Sequence, residues 1–468
     1  MAFDFDLLVI GVGPAGEKAA AQAAYFGKRV CAIERAPEPG GAGTHTGTVP
    51  SKTLRETAMY LSGYHAREMY GVAVELERTA TVQRLMSRKA AIVTSESRRI
   101  RDNLERHGVQ YVNGMARFVD AHTVEVDVGA GKRRISGERI LIATGSRPAR
   151  PAGIDFDDAN IHDSDEILSI DALPESLTIL GAGVIGCEYA CMFAALGVKV
   201  TLVDARDALL PFLDGEMVEK LIGSMQRMRI ALRLGARWTE VKRDGSRVVT
   251  RFQDGSEIAG EHLLYAAGRE GRTDELNLAA VGVLPDKRGY LYVNEKYQTT
   301  VPNIYAAGDA IGFPALAATS MEQGRVAVCH AFGFAYKQAV GDLLPYGVYT
   351  IPEISALGET EESCQDIGMA YVVGRAHYAQ NARGKIAGDT EGSLKLVVAR
   401  DTRKLIGVHV IGERATELVH IGQMLMTAGG TIDHLVDAVF NYPTLAESYK
   451  VAALDAMNRV HAIRRIAS

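Results

Sequence analysis

GVGPAG at Gly11 to Gly16 and GAGVIG at Gly181 to Gly186 decide the reading of this chain. Each follows a short apolar run, LLVI in the first case and LTIL in the second. The offset, 181 minus 11, is 170, and it also carries Gly27 to Gly197, Val30 to Val200 and Glu34 to Asp204. Each copy therefore reads as one β-α-β unit. A buried parallel strand leads into an Ala-rich helix closed by glycine, and a second strand, RVCAIE or KVTLVD, ends in an acid. Gly11 and Gly181 make the tight turn, Gly13 and Gly183 let backbone approach a pyrophosphate, and Gly16 and Gly186 let helix pack on strand. The phosphates then rest on free N–H groups at the helix N-terminus. The acid accepts hydrogen bonds from a ribose hydroxyl. One glycine motif is explained by a tight turn alone; two in register, each with strand, helix and acid, predict two dinucleotide sites.

A hydrophobic content of 47% and a charged content of 23% are ordinary for a soluble globular protein. The 468 residues suffice for about three domains. A net charge of -5 argues against a nucleic-acid binder. No apolar run approaches the roughly 18 residues of a membrane span. The opening MAFDFDLLVIGVGPAG has no basic region and runs into the glycine turn, so it reads as a first strand and not a secretion signal. Cys31, Cys187, Cys191, Cys329 and Cys364 are odd in number and scattered, which fits a reducing cytoplasm. No metal-ligand pattern stands out.

Three isolated features need an explanation. Asp309, within IYAAGDAIG, is the only charge between Val301 and Glu322, and reads as a helix cap, a ligand contact, or both. Glu188 is the only charge between Gly181 and Lys199, so it is expected to be partly buried and paired; stabilisation by the helix dipole is the plainer alternative. Cys187 and Cys191 lie one helical turn apart, too far for a disulfide, and read as packing residues.

The chain resembles the pyridine nucleotide–disulfide oxidoreductase family along essentially its whole length. The resemblance rests on the first glycine motif, Glu34, Pro50-Ser51-Lys52, Ala143-Thr144-Gly145-Ser146, Gly181 to Gly186, Ala267-Gly268-Arg269, and Thr299 through Asp309. It implies that Gly11, Gly13, Gly16, Glu34, Arg35, Gly41, Gly43, Lys52, Thr144, Gly145 and Asp309 serve FAD. It likewise implies that Gly181, Gly183, Gly186, Asp204, Arg206, Gly268 and Arg269 belong to the cofactor-binding set, the second glycine motif and Asp204 to the nicotinamide cofactor, and that Lys52 and Glu188 meet beside the flavin. The implied architecture is two doubly wound α/β domains and a C-terminal α+β dimerisation domain: 1–150 and 273–345 for FAD, 151–272 for NAD(P), 346–468 for a homodimer interface. Strands Ser393–Arg400 and Leu405–Gly412 and helices Arg414–Ala428, Ile432–Val439 and Leu445–Val460 are expected there.

The departures are more informative than the matches. The family's redox motif, GG-x-C-x4-C-x-P-S-K, appears as Gly40-Gly41-Ala42-Gly43-Thr44-His45-Thr46-Gly47-Thr48-Val49-Pro50-Ser51-Lys52. Gly43 and Thr48 replace both cysteines. The C-terminal H-P-x4-E appears with Tyr442 in place of histidine, followed by Pro443 and Glu447. Disulfide reduction has lost both its thiols and its proton donor, while both dinucleotide motifs remain.

THTGTVPSK, VIGCEYA and FNYPTLAESYKVAAL resemble a branch of the family that passes hydride between nicotinamide nucleotides. The expected activity is ping-pong transfer from NADPH to NAD+ through FAD, with Lys52, Glu188 and Thr48 beside the reacting centre. Asp204 suits the 2′-hydroxyl of NAD(H). Arg206 either holds the 2′-phosphate of NADP(H) or is a surface-loop arginine. An NAD(P)H diaphorase and a non-catalytic flavoprotein subunit are the rival expectations. The expected partners are the nicotinamide nucleotides and a second copy of the chain, with neither nucleic acid nor membrane.

Overall fold

A computed structural model describes residues 3–64, 69–72 and 74–467. Its first sheet has a parallel core in the order Gln110–Asn113, Val30–Glu34, Phe5–Ile10, Lys132–Ile142 and Ile304–Ala306. The second is parallel throughout, in the order Ala231–Arg233, Lys199–Val203, Ser176–Leu180, His262–Tyr265 and Ile161–Asp163. The last strand of the first sheet, Ile304–Ala306, enters only after the whole second sheet has been built.

The repeat holds to the residue. Helix Pro14–Tyr25 and helix Val184–Ala195 start and stop 170 residues apart, and their leading residues Gly13 and Gly183 have nearly equal dihedrals. Gly11 (φ +97°) and Gly181 (φ +111°) require the backbone freedom of glycine, and a Cβ at either would strike the neighbouring strand's carbonyl within 2.7 Å. At Gly16 and Gly186 a Cβ would lie 1.9 and 1.8 Å from the carbonyl oxygen of the first glycine, so helix and turn touch through glycine alone. Strand Val30–Glu34 is buried from end to end and Ser176–Leu180 in all but its first residue, as parallel strands covered on both faces must be.

The C-terminal unit is a five-stranded antiparallel sheet, ordered Tyr346–Val348, Ile354–Gly358, Leu405–Ile411, Ser393–Ala399, Tyr371–His377. Helices Ala415–Thr427, Ile432–Asp437 and Glu447–Ala467 accompany it. Their ends differ slightly from expectation. Arg414 is left-handed (φ +60°) and stands before its helix, while Ala438 turns extended (ψ 148°) and stops the next one early. Composition gave no hint of the 29-residue helix Arg78–Arg106, because its polar face dominates the sequence; Val82, Leu85, Ile100 and Leu104 anchor it.

Candidate active site

The middle glycines are the exception to the packing argument. A Cβ on Gly183 would meet nothing within 4 Å, and one on Gly13 only Gly41 at 3.7 Å. The fold does not require glycine there, so the space belongs to something the turn approaches. In both copies the terminal acid closes this turn. Glu34 accepts from Val12 N–H at 2.8 Å and Ala36 N–H at 2.9 Å. Asp204 accepts from Ala182 N–H at 2.7 Å and Arg206 N–H at 2.9 Å.

A cavity of about 570 Å³ opens over the first copy and runs beneath the helix of the second. It is lined by Gly11, Gly13, Glu34, Arg35, Gly41, Gly43, Thr48, Lys52, Thr144, Gly145, Glu188, Arg269 and Asp309. Gly16, Gly181, Gly183, Gly186, Asp204, Arg206 and Gly268 lie outside its lining. Gly16 is consumed by helix packing, while Asp204 and Arg206 stand on a separate, more exposed loop.

Lys52 and Glu188 come from helices 136 residues apart in sequence and meet at 2.6 Å. Glu188 is buried, and its other oxygen accepts from Tyr349 N–H at 2.9 Å, so the charge is paired as a buried acid needs. The Lys52 ammonium also stands 4.8 Å from the Tyr349 ring centre. Asp309 lies inside a short 3-10 turn, Gly308–Ile311, instead of capping a long helix. It accepts from Ser146 Oγ at 2.8 Å, and Ser146 in turn accepts from Arg269 Nε at 2.9 Å. Arg35 pairs with Glu275. Ser146, Arg272, Glu275 and Tyr349 are site residues that sequence reasoning missed as such. Ser146 had a signal in its place beside Gly145; Tyr349 had none.

Thr144 Oγ and Arg272 Nε are buried at this cavity without hydrogen-bond partners among the described residues. Burial first, then the charge of nearby Arg35, pushes the Arg272 guanidinium below its ordinary value. A cation with few partners, an orphaned hydroxyl and the N-terminus of helix Pro14–Tyr25 suit a diphosphate. The donor set thus fits the dinucleotide FAD. The thiols do not take part: all five cysteines are free and buried. Burial pushes Cys31 and Cys191 up to about 12, and holds Cys187 well above its ordinary value. Among the described residues no group of three or more His, Cys, Asp or Glu could hold a metal, and no helix is long and apolar enough to cross a membrane.

Fold and site define an oxidoreductase built on two dinucleotide cradles. The model of the pyridine nucleotide-disulphide oxidoreductase family matches residues 5–324, and that family's dimerisation domain matches residues 344–453. The chain belongs to this family, binds FAD and a nicotinamide dinucleotide, and carries the domain by which its members form oligomers. It is 47% identical over 464 residues to the soluble pyridine nucleotide transhydrogenase of Mycobacterium bovis, covering 99% of both chains. It is 41% identical to the protein of that name from Colwellia psychrerythraea, covering 98% of this chain and 99% of the other. Among solved structures it is similar to LpdA from Mycobacterium tuberculosis, with a TM-score of 0.89 and 28% identity over 96% of this chain and 99% of that one. It is also similar to the HOCl-induced flavoprotein disulfide reductase RclA from Escherichia coli, with a TM-score of 0.87 and 28% identity over 96% and 99%.

Proposed function

We propose that this protein is a soluble pyridine nucleotide transhydrogenase: NADPH + NAD+ gives NADP+ + NADH, with no redox-active disulfide. The observation that carries this reading is a complete cavity, with the Lys52–Glu188 pair in place, in which Gly43 and Thr48 stand where the thiols would be. When bound, FAD supplies a ring that takes a hydride from one nicotinamide and returns it to the next.

The chain's own residues set up that exchange. Gly11, Gly13 and the helix Pro14–Tyr25 receive the diphosphate of FAD, Glu34 its adenosine ribose, and Asp309 the flavin-side hydroxyls. Lys52, oriented by Glu188, places a positive charge where negative charge grows on reduction. Thr48 and Gly43 leave the face beside it free of sulfur, so nothing on the protein competes for the electrons. Gly181, Gly183, Gly186 and Asp204 receive the nicotinamide dinucleotide, whose occupant changes from NADP+ to NAD+ within each cycle. We assign residues 1–150 and 273–345 to FAD, 151–272 to NAD(P), and 346–468 to a symmetric homodimer. Val439 and Tyr442, 95% and 76% exposed, lie on the face assigned to the partner. The buried free thiols suit work in the cytoplasm.

The test is spectroscopic. Under anaerobic conditions NADPH should bleach the flavin absorbance of the purified protein after uptake of two electrons per flavin, and NAD+ should restore it. Uptake of four electrons, or a bleached state that NAD+ leaves unchanged, would refute the reading.

A further inference from the structure

The guanidinium of Arg206 lies across both carboxylate oxygens of Asp204. Nε donates to Oδ1 at 3.0 Å and Nη2 to Oδ2 at 2.8 Å. Behind it, Ala182 N–H and the Arg206 N–H already occupy the same two oxygens at 2.7 and 2.9 Å. A carboxylate offers about four lone-pair sites. All are filled, and none is left for the ribose hydroxyls that this acid would hold.

The first repeat is an internal control. Glu34 takes the same two backbone donors, from Val12 and Ala36, 170 residues earlier. The position of Arg206 is there filled by Ala36, and among the described residues no side chain donates to the Glu34 carboxylate, Asn113 reaching only its backbone carbonyl. The difference follows the work of the two sites. On the transhydrogenase reading, which this inference rests on, the first dinucleotide stays bound through the cycle and the second is exchanged twice in each.

We infer that Arg206 is a self-competing latch that closes on Asp204 in the free site, yields it to the ribose hydroxyls of NAD(H), and swings onto the 2′-phosphate of NADP(H). One site thereby accepts both cofactors and holds neither tightly. The energetics permit the movement. The Arg206 side chain is 52% exposed while Asp204 is 9% exposed, so the arginine can swing into water, and a ligand that replaces its two donated bonds keeps the acid satisfied. In the phosphate position the same guanidinium makes a charge-assisted contact and screens Asp204 from the added negative charge.

Arg206→Ala separates the two roles. It leaves Asp204 with the two backbone donors that Glu34 has in the first repeat, so the local fold has a precedent within the chain. The probes are ADP-ribose and its 2′-phosphate, titrated calorimetrically into the FAD-loaded protein. ADP-ribose should bind about two- to fivefold tighter to the variant, because its competitor is gone. The 2′-phosphorylated fragment should bind about tenfold weaker or worse. ADP-ribose binding that is unchanged or weaker would overturn the latch. Neither fragment carries a nicotinamide, so these affinities stand apart from hydride transfer. A protein that binds them as expected, yet whose flavin NAD+ cannot reoxidise, would keep the latch and lose the transhydrogenase reading.

Discussion

Gly43 and Thr48 show how much a single position can remove. Each lines the cavity, and neither offers a group that accepts electrons. The remaining sulfur is placed where it cannot substitute. Cys187 and Cys191 sit in the second cradle's helix, and burial raises both thiols, Cys191 up to about 12, so that neither forms a thiolate near neutral pH. The thiolate is the reactive species, so raising pH from 7 to 9 should not expose these groups to oxidation in the folded state. An aromatic disulfide reagent at pH 8 should therefore release essentially no colour from the native protein and register five thiols after denaturation. Rapid reaction of one thiol before unfolding would show that a cysteine is reachable, and would reopen the question of a substitute redox pair.

At the scale of an element, the strand-turn-helix of each copy assigns a different duty to each glycine. Gly186 is held by the protein itself, with a Cβ 1.8 Å from Gly181 O. Gly183 faces open space at an allowed φ of -77°. Gly186→Ala should therefore push helix Val184–Ala195 off its strand, at roughly 1–3 kcal/mol or more of stability. Gly183→Ala should cost about 1 kcal/mol or less, the ordinary loss of glycine at a helix start, while obstructing the pyrophosphate. Thermal unfolding and NADH titration of both variants resolve the two effects. If Gly183→Ala bound NADH as the parent does, the open space would not be a phosphate site.

Across the whole molecule, the unit built on the second parallel sheet is tied to the C-terminal unit by a charge cluster centred on the buried Lys395–Asp214 pair. Lys395, 1% exposed on the antiparallel sheet, reaches Asp214 at 2.8 Å, Glu361 at 2.6 Å and Glu216 at 3.3 Å. Arg375 adds contacts to Glu216 at 2.9 Å and Glu361 at 3.0 Å. Asp214 is also the N-cap of helix Gly215–Arg227, so the joint holds the start of that helix. Lys395→Met would leave three acids short of a cation and should cost about 3–5 kcal/mol in denaturant unfolding. The sign of the pH dependence follows from both partners. Burial raises the Glu216 carboxyl, but Arg375 and Lys395 outweigh it and hold it below its usual value. Its stabilisation is present above an unfolded pKa of about 4.3 and fades as pH falls through the folded value. Burial lowers the Lys395 ammonium, but its bonds to Asp214 and Glu361 outweigh that and raise it. Its stabilisation is complete below about 10.4 and is lost as pH rises through the folded value. The difference between parent and variant should thus be flat near neutrality and narrow at both extremes. A variant as stable as the parent at pH 7 would show that the cluster adds no net stability.

The sequence by itself determined the two cradles, the strand-helix-strand units around them and the missing thiols. These depend on short-range sterics: a positive φ, a helix that touches its own turn, an acid a fixed distance along the chain. Spacing and residue type record such constraints directly. The strands Ser393–Ala399 and Leu405–Ile411 were legible for the same reason, through local apolar pattern. Only the tertiary structure decided how the charges pair. Ser146 and Asp309 are 163 residues apart and Asp214 and Lys395 181; the meeting of Lys52 and Glu188 across 136 residues was implied by the family resemblance, not by any local pattern. Lys395 reads in sequence as one strand lysine among many, and Arg206 as either a phosphate contact or a surface-loop arginine. Burial and partner choice come from packing between distant segments, which set the local dielectric and the competing donors; Glu188 showed its burial as the one charge on an apolar helix, whereas nothing local marked Lys395 or the closure of Arg206 on Asp204.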